Sequence, residues 1–150
     1  MSTWTPAQLA DLRQAEEICV APARDDGRQL RERIIWVVTS PAGQGPHDAT
    51  SDGRVFVRST NGPTASWFRA ARRSRRGHIT TPAGTIDVTF DPVDAADLAR
   101  VDEAYRAKYG RRYRSIVEHL LGPGPRQATL ELHPTIEGRE PLTAPDELTD

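Results

Sequence analysis

The sequence has little that could cross-link the chain or hold it in a membrane. Its single cysteine, Cys19, cannot form an internal disulfide, and its apolar surroundings predict a buried, inert thiol. The longest purely apolar run is Ile34 to Val38, far short of the roughly 20 residues that span a bilayer. The N-terminus, MSTWTPAQ, lacks the basic start and apolar core of a secretion signal. The sequence therefore predicts a soluble, cytoplasmic protein with no membrane partner.

Lysine is nearly absent, because Lys108 is the only lysine among 20 basic residues. Arginines crowd one segment instead: Arg69, Arg72, Arg73, Arg75 and Arg76. Sequences that bind single-stranded nucleic acid usually combine such charges with stacking aromatics, and no aromatics interleave with this run. We therefore predict no nucleic-acid partner and interpret the arginines as the solvated end of a helix. The alternative is that they attract a polyanionic coenzyme tail.

Signatures of metal and hydrolase chemistry are also missing. The four histidines are scattered, without the spacing of paired metal ligands: His47, His78, His119 and His133. The segment GPTAS lacks the G-x-S-x-G frame of a nucleophile elbow. We predict neither a metal site nor a hydrolase.

Hydrophobic periodicity predicts one α+β domain over residues 1–134 and an acidic, disordered tail over residues 135–150. The predicted helices are Pro6–Glu16, Asp94–Gly110 and Tyr113–Leu121, besides one described below. The predicted strands are Ile18–Ala23, Arg33–Thr39, Arg54–Ser59, His78–Thr81, Thr85–Phe90 and Arg126–His133. About six strands, with two helices late in the chain and no strand–helix–strand repeat, favour a small antiparallel barrel or curved sheet with packed helices.

A segment of about a dozen residues, Thr39 to Asp52, is rich in proline and glycine and shows no periodicity. Loops of this length are usually functional flaps or mobile connections, and the sequence leaves both alternatives open.

The most informative stretch runs from Gly53 to Gly77. It predicts a strand, a tight turn through Asn61 and Gly62, and a helix entered at Pro63 with Ser66 in its first turn. A helix that opens directly after a strand offers unpaired N–H groups and a positive dipole end, which favour an anion such as phosphate. The sequence therefore suggests a cofactor or small-molecule site at this corner.

Several motifs resemble a bacterial family known as domain of unknown function 2255, which belongs to the flavin-binding split-barrel group. The matching residues are Trp4, IIWVV, GRVFVRS, Gly62, SWFRAA, GHI, AYRAKYG (Ala104 to Gly110) and ATLELHP (Ala128 to Pro134). They cover roughly residues 4 to 134. The resemblance implies a small antiparallel split β-barrel of α+β class. The expanded segment from Thr39 to Asp52 departs from the pattern.

In the wider group, deazaflavin-dependent nitroreductase-like proteins have a similar strand, turn and helix, where the turn backbone and basic residues hold the coenzyme's phosphate. The resemblance therefore implies cofactor-binding roles for Arg58, Ser59, Thr60, Gly62, Ser66, Trp67 and Arg69. It also implies FMN or a deazaflavin as the coenzyme.

Each of these residues also has a structural interpretation. Arg58 could grip phosphate bidentately or pair with a carboxylate on a neighbouring strand. Gly62 could serve only as the positive-φ residue of the turn. Trp67 could be a core anchor rather than a surface for the coenzyme ring. Tyr105 could donate a proton to substrate, although tyrosines on an inward helical face are more often structural. Lys108 lies next to that face and stays undecided.

We expect a flavin or deazaflavin-binding oxidoreductase that transfers hydride to a small electron-poor organic acceptor. The coenzyme carries such chemistry, which explains why no catalytic pair is visible in the sequence. Trp67 and Trp36 would provide a wall for the ring, and Tyr105 a proton. The resemblance also implies a homodimer with the coenzyme near the interface. The alternative is a cofactor-free small-ligand-binding or scaffold protein with the same barrel.

Overall fold

The computed structural model describes residues 4–23, 31–40 and 53–135. The predictions for the central part of the Thr39 to Asp52 loop and for the acidic tail lie outside these residues. The described elements, in chain order, are α1 (Pro6–Gln14), β1 (Ile18–Pro22), β2 (Arg33–Ile35), β3 (Val37–Ser40), β4 (Arg54–Arg58), a 3₁₀ turn (Gly62–Thr64), α2 (Ser66–Ser74), β5 (Arg76–Thr81), β6 (Gly84–Pro92), α3 (Ala95–Tyr109), α4 (Arg114–Leu120), α5 (Pro123–Gln127) and β7 (Thr129–Pro134).

The seven strands form one antiparallel sheet in the order β2-β1-β5-β6-β7-β4-β3. Its two edge strands, β2 and β3, are separated along the chain by Trp36 alone. Since consecutive Cα atoms are about 3.8 Å apart, one residue can bridge the edges only if the sheet curls back on itself. The result is a nearly closed α+β barrel, as predicted, with seven strands where about six were expected.

The prediction of one continuous strand over Arg33–Thr39 is wrong. The chain changes partner at Trp36, because β2 pairs with β1 whereas β3 pairs with β4. Ile34 is 67 % exposed on the first half, whereas Val37 and Val38 are fully buried on the second. A uniform run of β-formers does not reveal such a change, because periodicity reports burial only within a straight strand.

The barrel wall separates two apolar clusters. Val55 and Val57 of β4 face the main cluster inside the barrel. Phe56, between them, faces a second cluster under α3 and α4, as alternation along a strand requires. The second cluster also contains Tyr105 and Tyr109, which confirms the predicted inward face of α3. Arg58 follows the register of Phe56, so its side chain belongs to this outer layer.

The start of α1 follows the sequence prediction. The Thr5 hydroxyl accepts a hydrogen bond from the Gln8 amide, the Gln8 side chain accepts one from the Thr5 amide, and Pro6 occupies the first helical position. Trp4, just before this cap, donates from Nε1 to the Leu132 carbonyl at 3.1 Å. This bond ties the N-terminal helix to β7.

The helix after β4 begins later than predicted. Gly62–Thr64 form a 3₁₀ turn, and α2 begins at Ser66 rather than at Pro63. Gly62 has φ of 76°, a conformation that residues with a side chain rarely adopt, so its role in the turn is real. The chain thus turns twice before α2, and Ser66 lies in the first turn of that helix.

Two further expectations need correction. The strand predicted over Arg126–His133 is preceded by α5, because Pro123 begins a short helix that ends at Gln127. Cys19 is not fully buried but partly exposed on the outer face of β1. Desolvation, followed by nearby Glu32 and Glu17, raises the pKa of its thiol. Within the described ranges, no helix is long and apolar enough to cross a bilayer.

Candidate functional site

A cleft of about 330 Å³ opens at one end of the barrel, where β2, the turn after β4, the start of α2 and α4 meet. Its lining residues are Glu17, Arg33, Ile34, Ile35, Trp36, Arg58, Thr60, Asn61, Trp67, Ile116 and Leu120. The cleft therefore brings together three predicted cofactor-binding residues, Arg58, Thr60 and Trp67, with the predicted ring wall Trp36.

Arg58 is the most constrained side chain of the cleft, since it is only 1 % exposed. Its Nη1 donates to Asp102 Oδ1 at 2.7 Å and to the Leu120 carbonyl at 2.9 Å. Its Nε donates to Thr129 Oγ1 at 2.8 Å. These bonds join the end of β4 to α3, α4 and β7, so Arg58 does pair with an internal carboxylate.

The remaining nitrogen of Arg58 is not satisfied in the same way. Nη2 is buried and has no hydrogen-bond partner among the described residues. Unpaired donors on a buried charged group cost more free energy than those on a neutral one. Arg58 also lines the cleft, so this unpaired donor belongs to a residue of the cleft wall. The sequence prediction of a bidentate grip on phosphate remains untested.

The first turn of α2 forms another wall. Its N-cap residue, Ala65, has no side chain that can cap the helix, and no side-chain capping bond is present. Arg33 of β2 reaches this turn, with Nη2 lying 3.4 Å from Ser66 Oγ. Arg69 is exposed one turn further along and is not among the residues that line the cleft.

Backbone hydrogen bonds hold the turn between β4 and α2, one of them within the turn and one to the residue that precedes β7. The Ser59 amide donates to the Ala128 carbonyl at 3.0 Å, and the Gly62 amide donates to the Ser59 carbonyl at 3.1 Å. Ser59 Oγ is buried with no partner among the described residues. His119 Nε2 lies 2.7 Å from the Thr60 carbonyl, which ties α4 to the turn. Gly62 lines a shallower neighbouring groove rather than the cleft itself.

Two tryptophans line the cleft in different ways. Trp36 stacks on Tyr109, with ring centroids 3.9 Å apart and planes 4° from parallel. Trp67 is 6 % exposed and belongs to the main core, where its ring meets Phe68 edge-on at 6.2 Å. Trp67 is therefore a core anchor that also contributes to the cleft wall.

Tyr105, the predicted proton donor, lies in the outer apolar cluster and is fully buried. It is not among the residues that line the cleft. Its hydroxyl has no hydrogen-bond partner among the described residues, and burial raises its pKa well above the ordinary value. The Arg58 guanidinium lies 5.5 Å from its ring centroid, so Arg58 connects Tyr105 to the cleft.

A polar cluster supports Trp36 from behind. The Tyr109 hydroxyl donates to the Glu16 carbonyl at 2.7 Å and accepts from the Val37 amide at 3.2 Å. Lys108 Nζ donates to the carbonyls of Val37 at 2.8 Å and Leu12 at 3.0 Å. These bonds attach α3 to both α1 and β3 where the chain changes partner.

Lys108 is expected to give the stability of the folded state a pH dependence. Desolvation lowers the pKa of Lys108 from 10.5 to about 8, although the charge of Glu16 opposes the shift. Between these values the unfolded chain binds more protons than the folded one, so stability should rise with pH. Partial exposure reduces the expected gain to about 1 kcal/mol between about pH 8 and pH 10. Above about pH 10 the buried tyrosines, whose pKa values are raised, act in the opposite direction.

Urea unfolding at several pH values between about 7.5 and 9.5 tests this expectation. The Lys108→Met variant should show a flatter profile than the parent over that range. Parallel profiles for the two proteins would contradict the assignment of this pH dependence to Lys108.

Several lining residues were missed in the sequence. Arg33 lies in β2, Glu17 in the connection between α1 and β1, and Ile116 in α4, and no short motif joins them. The position of Arg33 at the start of a predicted strand was visible, but its proximity to Ser66 depends on long-range closure of the sheet. Asn61 was recognised only as a turn residue. Among the described residues, no three His, Cys, Asp or Glu side chains form a group able to hold a metal ion.

Comparison with known proteins places the chain among relatives without an assigned activity. A family model described as "Uncharacterized protein conserved in bacteria (DUF2255)" matches residues 8–132. No curated protein matches the sequence.

The structure resembles solved split barrels at low sequence identity. One is a protein of unknown function from Agrobacterium tumefaciens str. C58, with a TM-score of 0.54 and 15 % identity, covering 82 % of this chain. The alignment takes in 48 % of that protein, so this chain spans about half its length. Another is the heme storage protein HutZ from Vibrio cholerae, with a TM-score of 0.55 and 14 % identity, covering 90 % of this chain and 92 % of that one.

An F420 reductase aligns with a TM-score of 0.43 and 14 % identity, covering 85 % of this chain and 92 % of that one. At these identities the likenesses to the Agrobacterium tumefaciens protein and to HutZ establish the fold alone.

Proposed function

Because the chain belongs to the DUF2255 family of uncharacterised bacterial proteins, we propose its function from its own cleft. It binds a flavin or deazaflavin coenzyme there and transfers hydride to a small electron-poor organic acceptor. FMN and a deazaflavin coenzyme remain the two candidates.

The unpartnered Nη2 of Arg58 carries this proposal. A buried guanidinium nitrogen in a cleft wall, next to Arg33 and the uncapped start of α2, fits a phosphate oxygen. The other two nitrogens of Arg58 are already bonded within the protein, so its contribution is the single nitrogen Nη2. The residues present therefore fit the anionic end of such a coenzyme.

The apolar part of the cleft suits a flat ring. Trp36 and Trp67 contribute aromatic surface, and Ile34 and Ile116 are exposed at its margin. Glu17 is the only acidic residue among the described residues that line the cleft. It can accept a hydrogen bond from a ring N–H, and its charge disfavours a second anionic group at that side.

When bound in its reduced form, the coenzyme would supply the hydride. The protein would orient the coenzyme, neutralise its phosphate and exclude water from the ring. Ser59, Thr60, Gly62, Ser66 and Arg69 remain proposed contacts to the phosphate. Tyr105 remains the proposed proton donor, although burial raises its pKa and makes it a weaker acid.

A homodimer is part of the proposal. Ile34 is 67 % exposed and Ile116 is 45 % exposed, and both lie at the mouth of the cleft. A second copy packed over them would bury apolar surface next to the coenzyme.

Fluorescence titration tests the proposal with FMN, a deazaflavin coenzyme and riboflavin, which lacks the phosphate. The parent protein should bind at least one phosphorylated coenzyme at micromolar concentration. Arg33→Ala should weaken that binding about tenfold and leave riboflavin binding unchanged, because one charge-assisted contact to phosphate is lost. Sedimentation velocity on the same sample should give the mass of a dimer.

Arg72→Ala is the matched control. Arg72 is exposed on α2 with its guanidinium 5.9 Å from the Phe68 ring centroid, and it does not line the cleft. Its removal should leave affinity for the phosphorylated coenzyme unchanged. Flat titrations with both coenzymes would instead favour the cofactor-free ligand-binding protein, and a monomer mass would remove the dimer.

A further inference from the structure

One carboxylate behind the cleft forms a hydrogen bond with one arginine and an ion pair, without a hydrogen bond, with another. Asp102 of α3 lies 2.7 Å from Arg58 Nη1 through Oδ1 and 3.2 Å from Arg126 Nε through Oδ2. The Asp102 side chain is 14 % exposed, and that of Arg58 is completely buried. Two cations against one anion leave a net charge of +1 on this triad.

The triad of Arg58, Asp102 and Arg126 reaches the cleft through one member only. Arg58 lines the cleft, whereas neither Asp102 nor Arg126 does. Asp102 therefore does not contact a ligand in the cleft; it can act on one by orienting Arg58 and through its negative charge. It fixes Nη1 and leaves Nη2 as the unpaired nitrogen.

We propose that Asp102 is a positioning residue that both orients Arg58 and limits the affinity of the cleft for anions, while Arg126 offsets part of that limit. This inference rests on the proposed function, in which the cleft receives a phosphate group. Its physical reason is the Coulomb interaction of the Asp102 charge with an anion placed against Arg58, in partly buried surroundings where screening is weak.

The inference predicts opposite effects for two substitutions that leave the cleft lining intact. Asp102→Asn keeps an oxygen acceptor for Arg58 but removes the negative charge, so anion affinity should increase about tenfold. Arg126→Met removes a positive charge while keeping much of the apolar stem, so anion affinity should decrease about threefold. A purely structural role would lower stability in both variants without moving affinity in opposite directions.

Inorganic phosphate is the probe, and its apparent dissociation constant is obtained from the rise in Tm with phosphate concentration at constant ionic strength. Asp97→Asn is the matched control. Asp97 also lies on α3, pairs with Arg54 at 3.0 Å and Arg100 at 3.6 Å, and has a side chain 18 % exposed. It does not line the cleft, so its substitution should reduce stability and leave phosphate affinity unchanged.

Equal phosphate affinity in the parent and the Asp102→Asn variant would overturn the inference, as would weaker binding in that variant. If Asp102→Asn does not fold, an unchanged affinity in Arg126→Met overturns it by itself. Absence of any phosphate response in the parent protein also overturns it.

The coenzyme titrations separate this inference from the proposed function. If the two variants change phosphate affinity in the expected directions but neither coenzyme binds, only the coenzyme assignment is wrong. If a coenzyme binds but phosphate affinity is the same in the parent and in both variants, only the inference about Asp102 and Arg126 is wrong.

Discussion

Arg58→Met is expected to lower the free energy of unfolding by about 3–5 kcal/mol, the usual cost of removing one partner from a buried ion pair. Three described acceptors lose their donor together: Asp102 Oδ1, the Leu120 carbonyl and Thr129 Oγ1. Methionine fills much of the volume, so the cost reflects lost polar partners rather than a large cavity. Urea unfolding measures the change, and the phosphate response of the variant should disappear.

Arg54→Met is the matched control on the same strand. Arg54 forms bonds of similar length to Glu131 and Asp97, but its side chain is 33 % exposed, so water can replace them. Its substitution should cost about 1 kcal/mol. Equal losses in the two variants would mean that burial of Arg58 contributes nothing beyond a surface ion pair.

Tyr109→Ala is expected to destabilise the protein by about 3–5 kcal/mol, as for other large-to-small substitutions of buried aromatics. Tyr109 is 2 % exposed, stacks on Trp36 and bonds the backbone at Val37 and Glu16. Its removal therefore takes away the stacked partner of Trp36 where the two edges of the sheet meet and leaves the tilted Tyr113 ring beside it. Urea unfolding gives the loss of stability, and near-ultraviolet circular dichroism should show a weaker tryptophan signal.

Tyr109→Phe separates the hydroxyl from the ring. It keeps the stack on Trp36 and loses only the hydrogen bonds, so it should cost about 1–2 kcal/mol and retain most of the tryptophan signal. A loss of stability as large as that of the alanine variant would show that the hydrogen bonds of the hydroxyl, rather than the ring stack, stabilise the contact between α3 and the chain around Trp36.

Local signals in the sequence were sufficient for most elements. The start of α1 depends on three residues within one turn, and the faces of β4 depend on strict alternation, so both could be predicted. The break at Trp36 could not be predicted, because it is caused by two strands finding partners elsewhere in the sheet. Helix α5 was missed because it is short and contains two prolines and a glycine, a composition that is typical of a loop.

The candidate site was predictable only in part. Arg58, Thr60 and Trp67 lie within one stretch of chain and were found together. Asp102, the carboxylate that pairs with Arg58, lies 44 positions away in sequence, and Arg33 reaches Ser66 across 33 positions. Such pairs depend on the closed sheet, and no property of the local sequence records them.

Trp36 is the single residue between β2 and β3 along the chain, and it also forms part of the cleft wall. If β2 and β3 separated at Trp36, the barrel would open and the cleft wall would be lost at the same time. Any molecule that binds against the Trp36 indole would stabilise the closed barrel, because it binds the closed form and not the open one.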